Sequence, residues 1–212
     1  MEQPPARRQS SGGEQIGHDH PSSRPWDDRV VREDFVGVLQ AARAGSDSAW
    51  THIYKDLAPG LIGYLRGQGA PDPEDLVGDV FLEVVRDLHR FEGDHGQFRS
   101  WVFSIAHLRL LDARRRQGRR PVQPASPEEL SSKGGTGDSE EEALAVLGLQ
   151  RVERLLNVLS PDQRDVLLLR IVGDLSVDQV ASVLGKRPGA VRVLQHRGLV
   201  RLRRLSETGV TQ

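Results

Sequence analysis

The chain has 212 residues, 37% hydrophobic and 28% charged, a formal net charge of −1 and no cysteine. This is the composition of a soluble protein with room for one or two cored domains, and it excludes a disulfide framework, a thiolate nucleophile and a cysteine metal site. No apolar run approaches the roughly 20 residues of a membrane span, and Met1–Pro25 has no apolar signal core, so a cytoplasmic protein is expected.

Residues 1–28 are rich in Ser, Gly, Pro and charge with little to bury, and read as a disordered tail. A first domain is expected over 29–117. Phe35, Val36, Leu39 and Ala42 share a helical face that Gly45 stops. Trp50, Ile53, Tyr54 and Leu57 follow in a second helix capped by Ser46 or Asp47, and Leu61, Ile62 and Leu65 lie in a third before the Gly67–Gly69 loop. Asp72 is placed to cap the next helix, with Pro73 at its first position and acids in its first turn, running to about His89. After the Gly93–Gly96 loop, Phe98, Trp101, Val102, Ile105 and Leu108 predict a helix over Phe98–Arg116.

Residues 118–141 read as a flexible linker, and 142–207 as a second helical domain with a short tail at 208–212. Leu144–Leu159 is amphipathic. Ser160, Pro161 and Gln163 then form a cap, a first-turn proline and a capping-box partner, and Ser176 with Gln179 repeats the box. Val177–Leu184 is a short helix; beyond Gly185 and Lys186, Pro188 opens a final helix to about Leu205. Strand alternation is nearly absent. The fold class is all-α: two small helical domains on a flexible linker, the second ending in a helix-turn-helix.

The near-zero net charge hides strong segregation. Residues 72–94 hold eight acids against Arg86 and Arg90, a net of −6, while 99–120 hold seven arginines against Asp112, a net of +6. Residues 186–204 hold seven basic side chains and no acid. Two basic surfaces and one acidic surface follow.

A tight helix-turn-helix needs a small residue at the crossing, a turn residue tolerant of positive φ and apolar anchors on the second helix; Ala181, Gly185, Val191 and Leu194 supply them in order. The outer face then offers Arg187, Arg192, Gln195, His196, Arg197 and Arg201, side chains suited to major-groove edges and phosphates rather than the mixed charge of an ordinary hairpin. In SWVFSIAHLRLLDARRRQGRRP, aromatics at the helix start and arginines at its end suit stacking with phosphate neutralisation, although Trp101 fits the apolar face and packing is its first reading. Asp75, Asp79, Glu83 and Asp87 fall four residues apart, and Leu76, Val77, Val80, Phe81, Val84, Val85 and Leu88 exceed what one core face needs, which suggests a protein partner on a second face. There is no phosphate loop, the seven histidines fit no metal spacing, and no carboxylates pair in an evident pocket. No enzyme activity, cofactor or metal is expected.

These segments resemble the sigma factors of bacterial RNA polymerase in their small extracytoplasmic-function form, within the sigma-70 family. PEDLVGDVFLEVVRDLHRFEG looks like the segment that docks on the polymerase clamp helices, and FRSWVFSIAHLRLLDARRRQGRRP like the promoter-melting segment beside it. LSPDQRDVLLLRIVGDLSVDQVASVLGKRPGAVRVLQHRGLVRLRRL looks like the domain that reads the upstream promoter element. The resemblance implies that 29–117 is sigma region 2 and 142–207 sigma region 4. It implies polymerase docking through Glu74, Asp75, Leu76, Asp79 and Glu83, and capture of the melted non-template strand of the −10 element by Arg99, Trp101, Arg109, Arg114, Arg115 and Arg116. Duplex contact with the −35 element would fall to Arg187, Arg192, Gln195, His196, Arg197 and Arg201. The implied partners are core RNA polymerase at its clamp and flap regions, promoter DNA and an anti-sigma factor. This chain departs from the pattern at Gly78-Asp79, where Gln-Glu is usual, at His107-Leu108, where Arg-Asn is common, and at Arg187, where Ser or Thr usually caps. The rival reading is a free-standing helix-turn-helix regulator whose first domain senses a ligand or dimerises.

Overall fold

The structure is a computed structural model that describes residues 34–119, 152 and 154–209. The expected tail at 1–28, the linker beyond residue 119 and most of the Leu144–Leu159 helix lie outside the described residues. Helix α1 spans Phe35–Arg43, α2 Asp47–Gly67, α3 Pro73–Asp87 followed by a 3-10 turn at Leu88–Arg90, and α4 His95–Arg119. Residues 154–157 are helical; α5 is Pro161–Ile171, α6 Val177–Leu184 and α7 Pro188–Gly209. No strand occurs among the described residues.

Two helices were expected where α2 is one. Pro59 cannot donate a backbone hydrogen bond, but its ring is exposed while Ile53, Leu57, Ala58, Leu61, Tyr64 and Leu65 make a continuous buried stripe past it. Core burial outweighs the local penalty. Helix α4 starts three residues earlier than expected because Asp94 and Gln97 cap it reciprocally: the Gln97 N–H donates to Asp94 Oδ1 at 2.8 Å and the Asp94 N–H to Gln97 Oε1 at 2.9 Å. Asp72 makes no side-chain cap bond at the start of α3.

Helices α1–α4 enclose Leu61, Tyr64, Leu65, Val80, Val84, Phe98, Phe103 and Leu110. In α4 the inner face includes Phe103 and Ala106, which leaves Leu108 61% exposed, against its expected place on that face. The second half behaves as its punctuation predicts. Both capping boxes form at Ser160–Gln163 and Ser176–Gln179, and Gly185 takes φ +61° between α6 and α7. Val191 is buried against that turn and Arg187 stands at the cap position, its carbonyl accepting from Ala190 and Val191.

The two halves are docked. Helix α5 lies on α2 and helix α6 on α4, so that Val166, Leu168, Leu169, Leu175, Val180 and Val191 join one apolar cluster with the core of the first half.

Gly78 stands on the exposed face of α3 with nothing within 4 Å of where a Cβ would lie. Gly78→Ala is therefore expected to raise stability by about 0.5–1 kcal/mol, read as a higher thermal midpoint at unchanged helical content.

Candidate nucleic-acid interfaces

The helix-turn-helix is formed by α6, the turn at Gly185 and α7. Arg192, His196, Arg197 and Arg201 are exposed on α7 and Arg187 at its cap, and no carboxylate among the described residues pairs with any of these arginines. His196, Arg197, Val200, Arg201 and Arg204 line a groove of about 390 Å³ along the later turns of α7. Gln195 is half-buried and accepts from Arg170 Nε at 3.4 Å, so it is held by α5 rather than projecting freely. With Arg187, Arg192, Arg197 and Arg201 lacking an acid partner among the described residues, this part of the chain carries a concentrated positive field.

The second basic segment is arranged differently. Arg99 has a side chain only 12% exposed; its Nε donates to the Gly173 carbonyl at 2.7 Å and a terminal nitrogen lies 3.4 Å from Asp56 Oδ2, over the Phe103 ring. Arg109 donates through Nε to Glu83 at 2.8 Å. Arg114 donates to the backbone carbonyl of Gln68 at 2.6 Å and to its side-chain oxygen at 3.0 Å. Arg115 reaches Asp112 at 3.3 Å in the open, and Arg116 donates to the Asp112 carbonyl. Thus Arg99 and Arg109 are drawn inward, while Arg114, Arg115 and Arg116 are exposed, Arg114 with its guanidinium held at Gln68. Phe98 and Phe103 are fully buried and give no stacking surface; Trp101 stacks on Phe91 with ring centroids 5.2 Å apart, in keeping with packing as its first reading.

On α3 the acids divide. Asp75 and Asp79 are exposed, Glu74 pairs with Arg66 at 2.6 Å, and Glu83 is held by Arg109. Leu76 is 8% exposed and belongs to the core edge, so it is not the outward contact expected of it. With Asp75, Asp79 and Arg116 it lines a groove of about 540 Å³ between α3 and the end of α4. The outward apolar surface is instead Leu82, 72% exposed, Val85 and Tyr54, whose ring leans on Phe81 at 4.9 Å. Leu82 lies one step off the four-residue acidic stripe. Counting apolar excess identified this face, but not that residue.

Sequence reading also missed a polar cluster between the halves. Tyr64 OH lies 2.8 Å from His107 Nδ1, and Gln68 Nε2 donates to Asp165 of α5. Burial pushes the Tyr64 phenol up, raises the Asp165 carboxyl above its ordinary range and lowers the His107 imidazole; Arg114 opposes the first two shifts and adds to the third.

Residues 51–120 match sigma-70 region 2 and residues 149–202 match sigma-70 region 4. The extracytoplasmic-function RNA polymerase sigma factor SigD of Mycobacterium tuberculosis is 31% identical over 179 residues, 81% of this chain and 83% of SigD. The corresponding factor ShbA of Streptomyces griseus is 36% identical over 190 residues, 84% of this chain and all of ShbA. Among solved structures, CnrH in complex with the cytosolic domain of CnrY is similar at TM-score 0.59 and 26% identity, over 81% of this chain and 96% of that one.

A depressed imidazole means that the unfolded chain binds a proton before the folded one does, so His107 contributes stability above pH 6.5 that is lost as pH falls towards its folded midpoint. Asp165 works in the opposite direction: its contribution is present below its usual 3.8 and is lost as pH rises through its folded value. By NMR, His107 is expected to titrate below 6.5. In Asp165→Asn its midpoint should fall further, because the carboxylate that favours imidazolium is gone; an unchanged midpoint would show that Asp165 does not face it.

Proposed function

The chain belongs to the extracytoplasmic-function sigma factors of the sigma-70 family, and on that premise we propose a division of labour among its surfaces. It is a sigma factor that binds core RNA polymerase and directs promoter-specific transcription initiation. The observation that carries the assignment of parts is the set of exposed α7 arginines, Arg192, Arg197 and Arg201, with no acid partner among the described residues, in the segment that matches region 4.

Helix α7 reads the duplex of the −35 element, with Arg187 and Arg192 nearest the base edges and Arg197 and Arg201 on phosphates. The α4 arginines receive the non-template strand as the −10 element opens. Arg115 and Arg116 make the first contacts, and Arg99, Arg109 and Arg114 must exchange protein partners for phosphate oxygens. Opening draws on binding energy from the polymerase and the captured strand. The polymerase clamp sits on the outer face of α3, where Leu82, Val85 and Tyr54 supply apolar contact among Asp75, Asp79 and the paired Glu74 and Glu83. No helix among the described residues is long and apolar enough to cross a membrane, and work on RNA polymerase puts the protein in the cytoplasm. An anti-sigma factor is a further partner, as CnrH is found in complex with the cytosolic domain of CnrY.

Arg192→Ala is expected to cost about 1–3 kcal/mol of promoter-duplex binding and to relax sequence preference, measured by competition among related duplexes. Arg115→Ala should leave duplex binding nearly intact and slow strand opening, followed by permanganate reactivity of the melted thymines. Equal effects of both on closed-complex affinity would contradict the division. Leu82→Asp should weaken core polymerase binding about tenfold or more without loss of folding, since the side chain is exposed.

A further inference from the structure

We propose that helix α7 reads part of its duplex by apolar contact rather than by hydrogen bonds, with Val193 seated on the C5 methyl group of a thymine; this rests on the assignment of α7 to the duplex and names the chemistry it recognises there.

Val191 is fully buried, and Gly198 packs so closely that a Cβ there would come within 2.9 Å of Leu167 Cδ1, so these two residues mark the inner line of α7. At about 3.6 residues per turn, the line opposite them carries Gly189, Val193, His196 and Val200. Long basic side chains stand to either side of it, Arg192 and Arg203 on one flank and Arg197 and Arg201 on the other. A major groove about 12 Å wide admits one helix, and a helix with cations on both flanks is held between the phosphates of the two strands, so that its outermost line meets the groove floor.

The start of that line is poor in hydrogen-bonding groups. Val193 is 48% exposed, Gly189 is exposed with nothing within 4 Å of where a Cβ would lie, and Ala190 beside it is exposed as well. No contact within the protein calls for glycine at 189; its missing side chain gives a partner room to come close to the first turn of α7. Gln195, whose amide suits adenine, is half-buried and accepts from Arg170 Nε at 3.4 Å. Gly189, Ala190 and Val193 lie along a groove of about 490 Å³, and the acid on its rim, Asp162, is paired with Lys186 at 3.2 Å. A single exposed valine needs no explanation on an ordinary surface, but this one lies between two rows of arginines. On the floor of the major groove the apolar mark that distinguishes one base from another is the thymine C5 methyl, and a half-exposed branched side chain on the outermost line is suited to cover it.

Duplexes enriched from a random-sequence pool by the full chain supply the probe. In the enriched duplex each thymine is exchanged in turn for deoxyuridine, which pairs as thymine does and lacks only the C5 methyl, and binding is followed by anisotropy. At one thymine, or two neighbouring ones, the exchange is expected to weaken binding about fourfold, the effect of losing about 0.8 kcal/mol of methyl burial. Val193→Ala, at an exposed position that leaves the fold alone, should bind the thymine and deoxyuridine duplexes alike. Gly189→Leu should keep its helical content and lose about tenfold in affinity for every duplex, because the added side chain holds α7 off the floor.

An enriched duplex in which no thymine exchange matters would overturn the proposal. So would a loss of the same size in Val193→Ala, since the methyl would then act through the shape of the duplex. Gly189→Leu that binds as well as the wild type would show that this line does not meet the groove floor, with the same consequence. Should nothing be enriched, or should Arg192→Ala enrich the same duplexes as strongly as the wild type, it is the assignment of α7 to the duplex that fails, and the methyl reading falls with it.

Discussion

Seven arginines crowded into residues 99–120 repel one another, and the way the chain offsets that repulsion shapes much of what surrounds them. Arg109 leans on Glu83 of α3, Arg99 on Asp56 of α2 and the Gly173 carbonyl, Arg114 on Gln68 and Arg115 on Asp112. The Arg109 contact ties α4 to α3, those of Arg99 and Arg114 tie it to α2, and that of Arg99 also to the second half, whereas the Arg115 pair stays within α4. The Arg99–Asp56 pair is largely buried, but the Arg109–Glu83 pair is partly exposed and the Arg115–Asp112 pair more so. Such pairs are weak enough for a polyanion to displace, which is what a surface that holds DNA only transiently requires.

The same economy appears in the second half. There Arg192, Arg197 and Arg201 of α7 have no acid partner among the described residues, which suits a surface that reads duplex, while Asp162, Asp165 and Asp178 serve helix starts and the interface. Asp162 and Asp178 lie in the first turns of α5 and α6, and Asp165 faces Gln68. Charge is thus held back from partners where it meets DNA at once, and lent to the protein where it meets DNA only after the duplex opens.

Much of this was legible in the residues. The capping boxes at Ser160 and Ser176, the left-handed Gly185 and the basic face of α7 follow from local chemistry that tertiary packing leaves alone. Errors arose where packing outweighs local signals. Pro59 marks a break by propensity, but a buried stripe runs past it; Leu76 and Leu82 are alike in composition, yet one faces the core edge and the other solvent. The reciprocal Asp94–Gln97 cap could have been found, since it has the same spacing as the two boxes that were recognised. The docking of the halves could not, because Gln68, His107 and Asp165 are far apart in the chain and no periodicity connects them.

The most direct test of the central claim is size-exclusion co-elution of the purified protein with bacterial core RNA polymerase, followed by transcription from the peak fraction on promoter-bearing templates. Co-elution accompanied by initiation that core polymerase alone does not give is the expected result. A protein that elutes alone, yet still binds duplex DNA through α7, would contradict the sigma-factor mechanism and leave a free-standing helix-turn-helix regulator in its place.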